Sequence, residues 1–270
     1  MPVRIVQSKQ NARLKQLRRA LAQPGRAAGE LAALEGPHLL GEALRAGLHI
    51  DCVFAAHERE DLLADFPLPA GVEVLLIPQH ILAPVLTTET PQPLAALVAP
   101  PTWTWQDLLA PVGRRAPLLL VLAALQDPGN LGTILRSAEA FGATGIVALP
   151  GTVSAWNPKA VRASAGSVLR MPFLSATPVE LFAELHAAHV RLFTTALRDA
   201  ESAHTAGLAA PSAILIGNEG NGVPADIAAH ADAALTIPCP GPVESLNAAV
   251  AASILLYEAS RQRATQGDPR

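Results

Sequence analysis

The sequence predicts an α/β protein in two parts, the larger built on a mostly parallel sheet. Three observations lead there. From Leu118 onward, short wholly apolar runs alternate with helical stretches, the pattern of strands covered on both faces by crossover helices. Glycine-containing turns follow three of those runs: DPGNLG, IGNEGNGVP and IPCPGPVESLN. A proline-rich stretch with little periodicity, APPTWTWQDLLAPVGRRAP, separates this half from a smaller N-terminal part. The expected boundaries are a first domain over 1–99, a linker over 100–117, a second domain over 118–264 and a disordered tail over 265–270.

The elements follow in order. SKQNARLKQLRRAL spaces Leu14, Leu17 and Leu21 at helical intervals, with Ser8 placed to cap the start. LEGPHLLGEALRAG reads as a strand end, a turn at Gly36-Pro37 and a helix closed by Gly47. DCVFAA and VEVLLIP read as strands. In the second half, LLLVLAAL is a buried strand, followed by a helix over Leu131–Phe141 that Gly142 stops. GIVAL is a strand, NPKAVRASAG a short helix with Pro158 in its first turn, and PVELFAELHAAH a helix. RLFTTAL and AILIG are strands, PADIAAHA a helix, AALTIP a strand and VESLNAAVAASILLYEASRQR a long closing helix.

Composition narrows the classes. Half of the 270 residues are hydrophobic, enough for a sizeable core, yet no apolar run reaches the length of a membrane span. The basic N-terminus lacks the apolar stretch of a signal peptide. Cys52 and Cys239 are far apart and fit no C-x-x-C pattern, so both are expected to be reduced, buried thiols of a cytoplasmic protein. The net charge of −3 is unevenly spread. Residues 1–26 carry Arg4, Lys9, Arg13, Lys15, Arg18, Arg19 and Arg26 and no acid. Lys9, Arg13, Lys15, Arg18 and Arg19 therefore make a candidate polyanion-binding face. On charge alone a solvated helix face fits equally well.

Familiar cofactor signatures are absent. There is no G-x-x-x-x-G-K-[ST] phosphate loop, no G-x-G-x-x-G fingerprint and no G-x-S-x-G elbow. The missing fingerprint leaves little room for a dinucleotide-binding oxidoreductase. His186 and His189 lie three apart on one expected helix without a third ligand, and no metal is expected. What remains is a polar set in or beside the glycine turns: Asn130, Arg136, Glu219, Ser245 and Asn247. Each also has a purely structural reading. Asn130 could cap a helix, Arg136 could pair with Glu139, Glu219 could decorate a turn, and Ser245 could cap the last helix. Their common location at expected strand ends is where function concentrates.

Three segments resemble the motifs of the SpoU (TrmH-like) RNA ribose 2′-O-methyltransferases of the SPOUT superfamily. N-x-G-x-x-x-R is met by Asn130, Gly132 and Arg136, G-x-E-G-x-G by LIGNEGNGV, and I-P-x-x-G-x-x-x-S-L-N by IPCPGPVESLN. NPKAVRASAG is similar to the segment between the first two, so the likeness spans residues 118–263. SKQNARLKQLRRAL, LEGPHLLGEAL and TTETPQP resemble the family's N-terminal substrate-binding domain, whose fold is like some ribosomal proteins. The chain departs from it at Pro93, where the family usually has the glycine of P-Q-G. The resemblance implies a trefoil-knotted α/β domain, S-adenosylmethionine as methyl donor, a homodimer and an RNA substrate, ribosomal RNA ahead of transfer RNA. A non-catalytic RNA-binding protein of the same fold is the alternative. By motif match, Thr195, Gly217, Ile237 and Leu246 would bind the donor. Arg136 would grip the phosphate beside the target ribose and stabilise the developing alkoxide, with Asn130 orienting Arg136 or the hydroxyl. Glu219 would hold the guanidinium or a polar group of the donor, and Ser245 and Asn247 would bond the target nucleotide.

Overall fold

The structure, a computed structural model, describes residues 3–22, 29–110, 116–196, 199–242 and 245–265. The tail expected to be disordered lies outside the described residues, except for Thr265, the last residue of the closing helix. The chain divides into two compact units. One contains the residues up to Thr102 together with Ser154–Arg170, and the other Trp103–Val153 and the residues from Met171 onward. The sequence boundaries ran continuously through 154–170; the contacts do not.

The first unit begins with β1 (Val3–Ile5), α1 (Ala12–Ala22), β2 (Ala32–Glu35), α2 (Pro37–Arg45), β3 (Ile50–Ala56), β4 (Glu73–Ile77), α3 (Gln79–Leu82) and β5 (Leu94–Val98). Its five strands are ordered β1-β4-β3-β5-β2. β4 runs parallel to β1 and β3, while β5 runs antiparallel to β3 and β2. Leu14, Leu17 and Leu21 of α1 are buried in one cluster with Phe54, Leu75, Ile77 and Leu97, as their spacing predicts. The cap differs from expectation. Asn11, not Ser8, accepts the N–H groups of Arg13 and Leu14, because Ser8 lies a turn too early and accepts from Gln10 instead. β5 carries no turn signal of its own in LAALV and escaped the sequence reading.

The second unit contains α4 (Trp105–Leu109), β6 (Leu118–Leu122), α5 (Pro128–Ala140) and β7 (Gly145–Ala148). After α6 (Pro158–Ala163), which clusters with the first unit, come β8 (Phe173–Ser175), α7 (Pro178–Ala187), β9 (Arg191–Thr195), β10 (Glu201–Ser202) and β11 (Ser212–Ile216). Then follow α8 (Ala225–Ala228), β12 (Ala233–Thr236) and α9 (Ala248–Thr265). The seven strands are ordered β10-β12-β9-β11-β6-β7-β8, and every pairing described among them is parallel. β6 and β11 are buried along their whole length, which is why they read as continuous apolar runs.

α4 corrects the reading of 100–117 as a plain linker. Thr104 and Asp107 form a reciprocal capping box, and Leu108 is fully buried against Gly145, where a Cβ would lie 2.3 Å from the Leu108 Cγ. Five residues among prolines are too few to show a helical period. α5 packs on α9 through a 2.7 Å contact between the Ser137 and Ser253 hydroxyls and an edge-to-face pair of Phe141 and Tyr257.

Candidate active site

In a parallel sheet the carboxyl ends of neighbouring strands lie along one edge, where loops can converge on a ligand. β12, β9, β11 and β6 are consecutive in the sheet. Ile237 follows β12 directly, Thr195 closes β9, Gly217 follows β11, and the turn leading into α5 follows β6. The three glycine turns of the sequence therefore open at one edge.

The turn after β11 is a tight hairpin. Asn218 and Gly222 exchange two backbone hydrogen bonds of 2.9 Å. Gly217 permits this closure, since a Cβ there would stand 2.1 Å from the Gly222 carbonyl carbon. Asn218, which the sequence reading passed over, braces the loop. Its Oδ1 accepts from the N–H groups of Gly220 and Asn221, and its Nδ2 donates to the Ala124 carbonyl at 2.9 Å. An asparagine between two glycines in a turn was the available signal.

Glu219, Asn130 and Asn247 form a chain of polar contacts across all three turns. Asn130 Nδ2 donates to Glu219 Oε1 at 2.9 Å, and Asn247 Nδ2 donates to Asn130 Oδ1 at 3.2 Å. Asn247 Oδ1 then caps α9 by accepting from the N–H groups of Ala249 and Val250. The backbone N–H groups of Gln126 and Asp127 approach Glu219 at 3.5 and 3.4 Å. Burial pushes the Glu219 carboxyl upward, but the bonds from Asn130 and from the backbone outweigh it and hold the group below its ordinary value.

Several expectations are corrected at this point. Asn130 is not a helix cap: Asp127 holds that position in α5, and the Asn130 N–H donates to the Asp127 carbonyl. Arg136 is exposed and, among the described residues, forms no hydrogen bond or ion pair, so neither the pair with Glu139 nor a contact with Asn130 or Glu219 exists. Six helical steps lead from Asn130 to Arg136, which places them roughly 9 Å apart along the axis and about 120° apart around it. Both ends of the Asn130 amide are already engaged. Ser245 stands exposed and does not cap α9, because Asn247 lies one residue before the helix and does so. Thr195 Oγ1 donates to the Leu215 carbonyl at 3.0 Å, which engages its hydroxyl within the sheet, and Leu246 is half-buried.

The basic face of the first unit is smaller than its sequence. Lys9, Lys15 and Arg18 are exposed and, among the described residues, unpaired. Arg13 is held by Asp51 at 2.7 Å and Glu73 at 3.0 Å, and Arg19 pairs with Glu30 at 3.3 Å. Arg26 lies outside the described residues. Of the two thiols expected to be buried, Cys52 is, and burial pushes it up to about 12; Cys239, on the loop after β12, is exposed. Among the described residues there is no cluster of three metal-ligating side chains, and no helix is long and apolar enough to cross a membrane.

Fold and site together define an α/β protein whose parallel sheet gathers three glycine turns into one polar site, preceded by a separate mixed-sheet unit. The profile of the SpoU rRNA Methylase family matches residues 117–257, and that of the MRM3-like substrate binding domain matches 11–96. The chain belongs to the SpoU rRNA Methylase family. It is 31% identical over 252 residues to the 23S rRNA (guanosine(2553)-2'-O)-methyltransferase RlmP of Bacillus subtilis, covering 93% of this chain and 97% of that protein. The AdoMet-bound rRNA methyltransferase from Sinorhizobium meliloti superposes with a TM-score of 0.84 at 30% identity, over 96% of this chain and 98% of that one. The SpoU methyltransferase AviRb from Streptomyces viridochromogenes, solved with AdoMet, gives a TM-score of 0.84 at 27% identity, over 95% and 99%.

Proposed function

We propose that this protein is an S-adenosylmethionine-dependent methyltransferase acting on a ribose 2′-hydroxyl of ribosomal RNA. The observation that carries the reading is the chain from Glu219 through Asn130 to Asn247, which ties the three motif turns together at one sheet edge. Family membership and the AdoMet-bound rRNA methyltransferase of the same fold support it.

The residues present suit such a donor. Gly217 keeps the backbone of its hairpin free of a side chain, and Thr195, Gly217 and Ile237 sit at the ends of three adjacent strands, with Leu246 on the loop that leads into α9. The donor, when bound, supplies a methyl group activated by a positively charged sulfur. Positioning the acceptor oxygen for in-line attack is work of the kind that contributes ~7–11 kcal/mol. Arg136 performs the electrostatic part. A guanidinium stays protonated, offers no acceptor and cannot serve as a base. It can grip the phosphate beside the target ribose and stabilise the alkoxide as it forms. Its exposure and its lack of partners among the described residues leave the whole fork available. Glu219, Asn130 and Asn247 are positioning residues in this reading, and exposed Ser245 bonds the target nucleotide.

Lys9, Lys15 and Arg18 supply phosphate contacts on the first unit, with the salt dependence that follows. The trefoil knot and the homodimer belong to the same proposal. Val250, Ile254 and Tyr257 form an apolar stripe at helical spacing along α9, exposed at 47%, 38% and 57%, which suits burial against a second copy. The cytoplasm is the compartment where such RNA is met. The test is transfer of tritiated methyl from labelled S-adenosylmethionine to total RNA from a strain lacking the gene. Incorporation at ribose 2′-oxygens of ribosomal RNA is expected. Incorporation into transfer RNA alone would redirect the substrate, and none at all would leave a non-catalytic RNA-binding protein.

A further inference from the structure

Three stretches of the first unit have no role in the site described above: LEGPHLLGEAL, TTETPQP and NPKAVRASAG. They meet at one carboxylate. Glu35, whose side chain is 2% exposed, accepts the Thr87 N–H at 2.9 Å, a short bond from the Thr87 hydroxyl and a longer one of 3.5 Å from the Thr88 hydroxyl. Arg162 Nη1 lies 3.4 Å from Glu35 Oε1 and donates to Thr87 Oγ1 at 2.9 Å. A buried carboxylate requires such a counter-charge, and a single guanidinium nitrogen provides it.

The rest of Arg162 is free. Its side chain is 35% exposed, and among the described residues Nε and Nη2 have no hydrogen-bond partner. The backbone around it is locked. The Asn157 side chain caps α6, and Ser164 is fully buried with its hydroxyl on the Val161 carbonyl. Gly166, at φ +96°, packs so closely that a Cβ would stand 2.6 Å from the Glu42 Cγ. Glu42 in turn pairs with Arg170 and Arg45. The orientation of the guanidinium is thus fixed before any ligand arrives.

A pre-oriented, partly exposed guanidinium with one nitrogen tethered and an adjacent Nε–Nη2 edge without a hydrogen-bond partner among the described residues is matched to two oxygens of a phosphate. We propose that Arg162 is an RNA phosphate anchor of the first unit, held from behind by Glu35 and Thr87 and receiving a backbone phosphate on its Nε–Nη2 edge. This rests on the reading of the protein as an RNA methyltransferase and adds to it a phosphate contact from a residue outside α1 and the three motif turns.

The experiment measures binding of total RNA from the strain lacking the gene as a function of salt, and methyl transfer to the same RNA. The variants are Arg162→Lys, Arg162→Ala and the double variant Glu35→Gln/Arg162→Ala, which removes both charges and spares the fold a buried unpaired carboxylate. Loss of one phosphate contact lowers the slope of log affinity against log salt by about 0.7. Arg162→Ala and the double variant should show that decrease, with RNA KM raised about fivefold to tenfold and kcat and donor affinity within about twofold of wild type. Arg162→Lys, which keeps the charge and loses the fork, should restore the slope and part of the affinity. A salt slope and RNA KM unchanged from wild type in the double variant overturn the proposal, as does a uniform loss of kcat, donor binding and melting temperature in every variant. Failure of the wild-type protein to methylate this RNA is a different result, and it removes the activity reading itself.

Discussion

Two carboxylates organise this molecule, and they are satisfied in opposite ways. Glu35, in the first unit, is sealed from water and balanced by a guanidinium and two threonines. Glu219, in the second, is exposed and balanced by an asparagine amide and backbone N–H groups, with no cation among its described partners. Arg162 is drawn in to Glu35 from 127 residues away, whereas Arg136 stays clear of Glu219. A carboxylate buried beyond the reach of solvent needs a charged partner, whereas one with access to water is satisfied by neutral donors. The consequence is functional. Holding Glu219 with amides leaves the arginine of the first motif uncommitted, as the role proposed for Arg136 requires.

Replacing Arg136 by Ala should lower the single-turnover rate at saturating RNA by about 10²–10³, with donor affinity by calorimetry unchanged; a rate near wild type would separate the arginine from the chemistry. Gly217→Ala comes next. A Cβ placed 2.1 Å from the Gly222 backbone cannot be accommodated without opening the hairpin, so a cost of about 2–4 kcal/mol in chemical denaturation is expected, together with weakened donor binding. A smaller effect belongs to Asn130→Ala. It removes the central link between Glu219 and Asn247, and about 1–2 kcal/mol should be lost in denaturation along with part of the activity.

The acid limb sharpens the contrast between ordinary carboxylates and held ones. Glu219 and Glu258 both sit below the ordinary glutamate value, Glu258 at about 2, held by Arg261 and Gln262 against the opposing effect of burial. A depressed folded-state value means that these groups stabilise the protein above the unfolded value of 4.5 and that this contribution fades as pH falls towards about 2. Glu258→Gln should therefore flatten the fall in melting temperature below pH 4.5, measured by thermal scans across that range. The smallest effects are on the α1 face. Lys15→Ala and Arg18→Ala should each weaken RNA binding about threefold and lower its salt slope by about 0.7. Arg13→Ala, already neutralised by Asp51 and Glu73, should lower the slope by much less while reducing stability.

Much of this was legible in the sequence. The apolar runs of β6 and β11, the spacing of Leu14, Leu17 and Leu21 and the glycine that ends α5 all act through neighbours in the chain, and local pattern reveals such things. Asn130, Glu219 and Asn247 were legible as a set because all three lie in or beside glycine-containing turns at expected strand ends. Their mutual bonds were not, and neither was the separation of Arg136 from them. The pairing of Glu35 with Arg162 spans 127 residues and leaves no periodic trace. For the same reason the sequence could not reveal that Ser154–Arg170, inside the match to the methylase family, clusters with the N-terminal unit. α4 was hidden by its length, and the capping residues were displaced because Ser8 and Ser245 look as suitable as the asparagines that do the capping.

The most direct test of the account is ribose-methylation profiling of total RNA from a strain lacking the gene, complemented with the wild-type protein or with Arg136→Ala. The account predicts a 2′-O-methyl mark in ribosomal RNA that disappears in the deletion, returns with the wild-type protein and stays absent with the variant. Full restoration of that mark by Arg136→Ala, or profiles identical in all strains, would contradict it.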